Sequence, residues 1–518
     1  MEEQKTMKKF LMLMLALIMS VSCFAACGGG GAGGGGTNVP SFVLPENGYD
    51  GSEVTLKFYH TMGQNLTSVL NKYIEKFNEI YPNIHIEHEQ IGGYDDVRSQ
   101  ISTEITAGNQ PNIAYCYPDH VALYNVAGVV ATLDDLINSK ITVNGSNGSS
   151  EILGLTEAQK ADFIEGYYNE GKAFGDGLMY TMPFSKSTEV LYYNKTFFDA
   201  NNLKVPTTWD EMEEVCKKIK EIEPSSIPLG YDSEANWFIT MCEQMGSPYT
   251  SATGEKYLFD NATNRAFVAR FREWYQKNYV TTQTLYKAYT SGLFVNTDES
   301  KATSYMSIGS SAGATHQRPA ADENGDYPFE VGIASIPQID PSNPKVISQG
   351  PSVCIFKKDN PQEVVASWLF VKYLTTNVNF QFDFSTASGY VPVLKSVQDL
   401  DAYKNYMSKL VAENRVIKDA EGKPVPKLDA DGNIVKDADG QTVYQVESIN
   451  QYIATLSMKI CMDQEEAYYV SPAFNGSSTA REQVESLMTG CFILTGNNVE
   501  SQIAQKFQEA IDACKYMG

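Results

Sequence analysis

The most constraining feature of this 518-residue chain is a regular alternation of strand and helix patterns near its beginning. Apolar residues occupy alternate positions over 54–58 and 84–86, and an apolar run at 113–117 completes three strand patterns. Between them, apolar residues recur at helical spacing over 66–77 and 97–105. The order β-α-β-α-β predicts a parallel sheet with helices on its faces, and therefore an α/β fold.

Aromatic and acidic residues follow each of these predicted strands. Tyr59 lies at the end of the first strand, Tyr94 follows a Gly-Gly turn after the second, and Asp119 comes shortly after the third. Ligands of such sheets bind at the carboxyl ends of the strands. These three residues are therefore candidates for contacting a ligand.

A second informative stretch covers Ser185 to Asp199. A polar run that includes Ser187 and Thr188 leads into a short apolar run at 190–193, which predicts a buried strand. Hydroxyl groups directly before a buried strand are well placed to face a cleft. The Tyr-Asn-Lys turn at 193–195 follows that strand.

Residues 385–393 read Ser-Thr-Ala-Ser-Gly-Tyr-Val-Pro-Val. Together with the Tyr-Asn-Lys turn, this segment resembles the family 1 extracellular solute-binding proteins, which are sugar-binding lipoproteins that supply ABC importers. The sub-branch that it most resembles binds glycerol-3-phosphate and oligosaccharides. The resemblance implies an α/β periplasmic-binding-protein fold of type II, in which two lobes joined by three crossings close on a solute.

The resemblance also implies domain boundaries. Crossings are expected near Ser185, Ile308 and Asp359. The first lobe would comprise 52–184 and 309–358, and the second 185–308 and 359–518. The protein is expected to act as a monomer.

Site positions follow from the same resemblance. They are Tyr94, Asp119, Ser187 or Thr188, Ser310, Ser311, Gly350 and Tyr390. Tyr59, Trp237 and Asn475 are added because they lie at predicted strand ends or in loops. Aromatic faces suit the C–H face of a sugar ring, while polar side chains and backbone groups suit its hydroxyls.

One departure from the family pattern bears on the ligand. Glycerol-3-phosphate binders carry an arginine in the C-terminal region, and the matching position here is Ser477. A guanidinium suits bidentate contact with phosphate. The sequence therefore favours a neutral sugar or oligosaccharide, with a phosphate ester as the alternative, because Arg481 lies only one helical turn away.

The N-terminus has the features of a bacterial lipoprotein signal. A short positive segment precedes an apolar run at 10–21, and Ala25-Ala26-Cys27-Gly28 resembles a lipobox. The sequence predicts a signal peptide over 1–26, lipidation of Cys27 and a glycine-rich tether over 27–51. A lipid anchor on the extracellular face of the membrane is expected, beside an ABC permease. A plain secretory signal is the alternative.

Composition excludes several other classes of protein. The net charge of −23 repels nucleic acid and anionic membranes. The nine cysteines form no Cys-x-x-Cys pair, and the five histidines form no metal-binding motif, so neither a metal nor a cofactor is expected. The Gly309-x-Ser311-x-Gly313 pattern matches a hydrolase elbow but lacks a suitably placed histidine and acid. An enzyme is not expected, although a secreted glycoside hydrolase stays open as a weaker alternative.

Three Asp-x-x-Gly turns recur between 416 and 446. The alternating residues between them predict β-hairpins in a surface insertion. A calcium loop starting at Asp429 fails, because Ile434 and Gly440 occupy the positions that need glycine and glutamate.

Overall fold

The computed structural model describes residues 41–298, 300–429 and 431–517. The predicted signal peptide 1–26, Cys27 and the tether up to residue 40 lie outside these ranges. No helix within the described ranges is both long enough and apolar enough to cross a membrane.

Two five-stranded sheets organise the chain, with two short strand pairs beside them. The strands of the described residues are β1 (Val54–His60), β2 (Ile84–Gln90), β3 (Ile113–Cys116), β4 (Thr142–Asn144), β5 (Ser150–Ile152), β6 (Thr181–Pro183), β7 (Glu189–Asn194), β8 (Leu229–Tyr231), β9 (Val280–Thr282), β10 (Met306–Ser310), β11 (Val331–Ser335), β12 (Val346–Ile347), β13 (Ser352–Ile355) and β14 (Tyr468–Tyr469).

Helices cover the faces of both sheets. Those of the described residues are α1 (Gln64–Ile80), α2 (Tyr94–Ala107), α3 (Pro118–Asn125), α4 (Asp134–Asn138), α5 (Glu157–Asp162), α6 (Glu165–Asn169), α7 (Lys195–Ala200), α8 (Trp209–Ile222), α9 (Glu234–Gln244), α10 (Ala262–Gln276), α11 (Gln283–Tyr286), α12 (Ser291–Phe294), α13 (Pro361–Thr376), α14 (Val378–Ser388), α15 (Asp401–Ser408), α16 (Ile453–Asp463), α17 (Ser477–Phe492) and α18 (Val499–Met517).

The first sheet has the strand order β2-β1-β3-β13-β6. β1 runs parallel to β2 and β3, as the alternation of strand and helix patterns predicts. β13 then returns antiparallel between β3 and β6. We call this sheet and the helices packed on it the first lobe.

The second sheet has the order β11-β7-β10-β8-β9, with β7 antiparallel to both of its neighbours. Leu191 and Ile308 face a core that also holds Trp209, Trp237 and Phe271. Full burial of each such side chain contributes about 1.5–3 kcal/mol. We call this sheet, with α17 and α18 packed beside it, the second lobe.

Helix starts in both lobes follow the sequence closely. At α8, the Thr208 hydroxyl accepts a hydrogen bond from the Glu211 backbone N–H at 3.1 Å, and the Glu211 carboxylate accepts one from the Thr208 N–H at 3.3 Å. This is the predicted capping box. At α13, Asn360 accepts from the Gln362 N–H at 3.0 Å and Pro361 occupies the first helical position.

The path between the lobes differs from the predicted boundaries at two places. β10 and β11 both pair with β7, so the chain stays on the second sheet through Ser335 and returns to the first only at Ser352. Helix α13 packs on β1, so the chain does not leave the first lobe at Asp359. The predicted second and third crossings were therefore placed too early, whereas the segment near Ser185 joins β6 of the first sheet to β7 of the second.

The insertion at 416–446 has a hairpin at each of its three turns. Bridges pair Lys418 with Pro424, Leu428 with Ile434, and Lys436 with Thr442. At the second turn, Asp429 accepts hydrogen bonds from the N–H groups of Asp431 and Asn433. Such Asx turns fix a tight loop without a core or a metal.

Candidate ligand-binding cleft

The first crossing is held between two other segments of the chain. Lys186 exchanges backbone hydrogen bonds with Val391 at 3.0 and 2.6 Å, and Ser187 exchanges two with Gln349, both at 2.9 Å. The predicted positions Ser187, Gly350 and Tyr390 therefore lie on adjacent segments where the lobes meet. We call residues 185–188, 347–351 and 389–391 the hinge.

A buried ion pair lies at the centre of the hinge. Lys186 Nζ contacts Glu170 Oε1 at 2.6 Å, and the two side chains are 0% and 3% exposed. Lys186 Nζ also donates to Ser352 Oγ at 2.9 Å and to the Gly350 carbonyl at 3.2 Å. The hydroxyl of Ser348 donates to the second Glu170 oxygen at 3.1 Å. Every strong donor and acceptor of this pair is thus used, which buried charges require.

Thr188 and Ser311 bind each other at the edge of the hinge. The Ser311 N–H donates to the Thr188 carbonyl at 2.8 Å, and the Thr188 N–H donates to Ser311 Oγ at 3.1 Å. The Thr188 hydroxyl donates to the Ile347 carbonyl at 2.6 Å. Ser310 starts the following helical turn, accepting from the Ala312 N–H at 3.3 Å. Three of the predicted hydroxyls therefore bind other parts of the chain.

Tyrosines form a wall on the first-lobe side. The rings of Tyr94 and Tyr117 lie 4.6 Å apart, and the hydroxyls of Tyr94 and Tyr390 are 3.4 Å apart. Burial raises the pKa of both Tyr94 and Tyr390, so both stay neutral donors. Tyr115, only 2% exposed, stacks beside Tyr94 at 6.5 Å. We call Tyr94, Tyr117 and Tyr390 the tyrosine wall.

Side chains also join the lobes directly. Asp119 of α3 accepts a hydrogen bond from Ser478 of α17 at 3.0 Å. Arg98 of α2 forms an ion pair with Glu482 of α17 at 3.3 Å. The lobes are therefore in contact across α17, and Asp119 lies at that contact.

Two of the added residues are packed rather than exposed to a cleft. Trp237 is 0% exposed, and its ring stacks on Tyr231 at 4.6 Å within the second-lobe core. Tyr59 lies under α2 with Val97 and donates to Glu104 at 3.2 Å. Neither ring is available to stack on a solute, so both of these sequence predictions were wrong. Asn475 lies in the half-buried loop before α17.

Arg481 is the main residue whose place the sequence left open. Its guanidinium donates to Asn236 Oδ1, and Asn236 in turn donates to Glu189 at 2.9 Å. Burial raises the pKa of Tyr117 in the first lobe and of Tyr249 in the second, and the nearby Arg481 charge opposes this rise at both. Among the described residues, no carboxylate lies within ion-pair distance of Arg481. Ser477, in contrast, is buried and donates to the Phe474 carbonyl at 2.7 Å.

Several buried hydroxyls in this region have no hydrogen-bond partner among the described residues. They include those of Ser185 in the hinge, Tyr115 of the first lobe and Tyr249 of the second. The described part of the chain holds no group of three or more side chains that could bind a metal ion. The region offers hydroxyls, aromatic rings and the Arg481 guanidinium.

The family model for bacterial extracellular solute-binding proteins matches residues 72–409. The chain belongs to this family. It is therefore a solute-binding protein of the ABC importer type, with the two-lobe fold that the sequence predicts.

Three similar proteins are named for, or solved with, two kinds of ligand. The sn-glycerol-3-phosphate-binding periplasmic protein UgpB of Escherichia coli K12 is 23% identical over 388 residues, which is 71% of this chain and 81% of that protein. UgpB from Mycobacterium tuberculosis, solved with glycerophosphocholine, has a TM-score of 0.62 at 15% identity and covers 89% of this chain and 99% of its own. The sugar-binding protein MalE of Xanthomonas citri has a TM-score of 0.61 at 17% identity, covering 89% and 98%.

Proposed function

We propose that this solute-binding protein captures a sugar or oligosaccharide between its two lobes and delivers it to a membrane permease. The tyrosine wall carries this proposal. Its rings suit the C–H face of a sugar, and its neutral phenols suit the hydroxyls around the ring.

The unpartnered hydroxyls of Tyr115 and Tyr249 support the same ligand class. A buried hydroxyl without a partner costs about 1–3 kcal/mol, which a ligand hydroxyl or water removes by bonding to it. One of these groups lies in each lobe. A polyhydroxylated solute that bonds to both would favour the closed state, because only that state presents both groups together.

A phosphate ester of glycerol is the second candidate, and Arg481 is the observation that favours it. Its guanidinium bonds a neutral amide and has no carboxylate within ion-pair distance in the described residues. It follows the start of α17, where backbone N–H groups also favour an anion. The curated relatives named for glycerol-3-phosphate binding point the same way.

The cellular setting is part of the proposal. A cleaved signal, a lipid on Cys27 and a glycine-rich tether would hold a monomer at the extracellular face of the membrane, within reach of its permease. No catalytic role is proposed, so the solute should leave unchanged.

Thermal unfolding of the purified protein tests the solute class. A true ligand at about 100 times its dissociation constant should stabilise the fold by about 2.7 kcal/mol. We expect this shift with maltose or maltotriose, without loss of the sugar from solution. Consumption of the sugar would replace the proposal with a glycoside hydrolase. A shift with glycerol-3-phosphate alone would establish the second candidate.

Replacing Arg481 by methionine separates the two candidates further. Hydrogen bonds to charged groups contribute about 1.5–3 kcal/mol, so a phosphate ester should lose roughly ten- to more than a hundredfold in affinity. A neutral sugar should lose about tenfold or less. Isothermal titration calorimetry measures both.

Arg272→Met is the matched control for this change. It removes the same charge from the second lobe, where Arg272 donates to the Leu494 carbonyl rather than towards the cleft. Equal losses in the two variants would mean that Arg481 has no direct role in binding.

A further inference from the structure

A buried chain of hydrogen bonds leads from the second-lobe core to Arg481. Tyr231 Oη donates to Glu189 Oε2 at 2.7 Å, and Asn236 Nδ2 donates to Glu189 Oε1 at 2.9 Å. Asn236 Oδ1 then accepts from Arg481 Nη2. Tyr231, Glu189 and Asn236 are 0%, 1% and 3% exposed. We call these four residues the relay.

Secondary structure fixes each member of the relay in place. Glu189 is the first residue of β7, directly after the hinge segment 185–188. Asn236 lies in the first turn of α9, where its N–H donates to Ser233 Oγ at 3.2 Å. Arg481 projects from α17, which packs on α9. The relay therefore lies within the second lobe and does not depend on closure.

The charge of Glu189 leaves Asn236 only one useful orientation. A carboxylate accepts hydrogen bonds, so Asn236 must turn its NH₂ group towards Glu189 and its oxygen towards Arg481. In the flipped amide, the NH₂ group would face the guanidinium and the oxygen would face the carboxylate. Glu189 thereby determines which Arg481 nitrogen is held and which remain available.

We propose that Glu189, acting through Asn236, is the positioning residue of Arg481, and that the proton on Glu189 sets how strongly the cleft favours an anionic over a neutral solute. This inference rests on the proposed function for its ligand, and the relay itself can be tested without one. When Glu189 is protonated, the Arg481 charge is fully available. When it is ionised, its negative charge opposes an anion at the same guanidinium.

The surroundings of Glu189 place its titration near neutral pH. Burial raises the pKa of Glu189 to about 7, against the lowering effects of Tyr231, Asn236 and Arg481. Asp232, beyond β8, raises it, and the phenol of Tyr469 on β14 also faces Glu189. Both charge states are therefore populated at physiological pH.

Unfolding without any solute provides the first test. Because the folded pKa is raised above the usual 4.5, the stability due to Glu189 is complete below pH 4.5 and is lost as pH rises through 7. The stability of wild-type protein relative to Glu189→Gln should fall over this range and then level off. We call the pH at which this stability difference becomes constant the levelling point. When both proteins also carry Arg481→Met, the levelling point should move to higher pH, because Arg481 no longer lowers the pKa of Glu189.

Arg272→Met is again the control, and it should leave the levelling point unchanged. Identical pH profiles for wild type and Glu189→Gln would overturn the proposal. An unmoved levelling point in Arg481→Met would overturn it as well, because Glu189 and Arg481 would then be uncoupled.

Calorimetry with sn-glycerol-3-phosphate and maltotriose gives the second test. For glycerol-3-phosphate, wild-type affinity should fall above pH 7, by at most tenfold per pH unit for one linked proton, while Glu189→Gln stays flat. For maltotriose, both proteins should stay flat. Asn236→Leu should weaken either solute by about tenfold with unchanged unfolding cooperativity.

Failure of the proposed solute class can be distinguished from failure of the relay. Absence of binding to both probes would count against the proposed solutes, while the unfolding profiles would still decide the relay. Parallel pH dependence in wild type and Glu189→Gln for glycerol-3-phosphate would overturn the inference even if that solute is the ligand.

Discussion

Replacing Lys186 by methionine is expected to lower the free energy of unfolding by about 3–5 kcal/mol. The change leaves the Glu170 carboxylate, 3% exposed, without its cation at 2.6 Å. It also removes the hydrogen bonds to Ser352 and the Gly350 carbonyl. Urea unfolding followed by circular dichroism measures the loss as a lower midpoint at unchanged slope.

The exposed pair of Lys72 and Asp383 is the matched control for this prediction. Its separation is 2.7 Å, similar to the buried pair, but its side chains are 54% and 32% exposed. Exposed pairs contribute only about 0–1 kcal/mol, so Lys72→Met should change stability little. An equal effect of Lys72→Met and Lys186→Met would show that burial of the hinge pair has no energetic consequence.

A double variant identifies the cause of the loss. If the uncompensated charge of Glu170 destabilises Lys186→Met, then adding Glu170→Gln should recover part of the stability, since no buried charge remains. Simple loss of packing predicts no recovery. If stability does not recover, the hinge pair stabilises the protein by filling the space between the segments and not by balancing charge.

Local rules predicted much of this fold. The first three strands run parallel as their alternation with helices predicts, and the Thr208 and Asn360 caps form as their spacing indicates. These features depend on residues within one turn or one strand. These features do not require contacts with residues far away in the sequence.

Features set by distant partners were not predictable in this way. The crossings were misplaced because β11 is only five residues long and its pairing with β7 joins residues far apart in sequence. The prediction that Trp237 contacts a ligand was wrong because α9 is buried on nearly every side, so its aromatic residues show no distinct outer face. Burial of a helix all round cannot be inferred from its own periodicity.

The cleft shows the same division. Ser187, Gly350 and Tyr390 meet at the hinge because family-like segments carry them there. Glu170 and Glu189 carried no signal, because charged residues are usually solvated, and Arg481 stood only as an alternative to Ser477. Only the fold shows that Lys186 neutralises the first and that Asn236 joins the other two.

Replacing Gly350 by alanine should destabilise the protein strongly and separate the hinge segments. Gly350 has a φ of +90°, which L-residues rarely adopt, and a Cβ there would lie 2.7 Å from the Ser185 carbonyl oxygen and 2.9 Å from Lys186 Cα. Backbone strain of about 1–3 kcal/mol adds to a similar cost of overpacking. Both neighbouring atoms are backbone atoms, so relief requires the crossing to move.

Gly177→Ala isolates the strain from the contact. Gly177 has a φ of +80° with nothing within 4 Å of an added Cβ, so its replacement by alanine costs only the backbone strain. The extra loss in Gly350→Ala then measures the close approach of the two segments. Movement of the crossing should also weaken binding of whichever solute stabilises the wild-type protein, because each lobe carries part of the tyrosine and Arg481 surface. Equal losses at the two glycines, with binding intact, would mean that the hinge tolerates a wider spacing than its geometry implies.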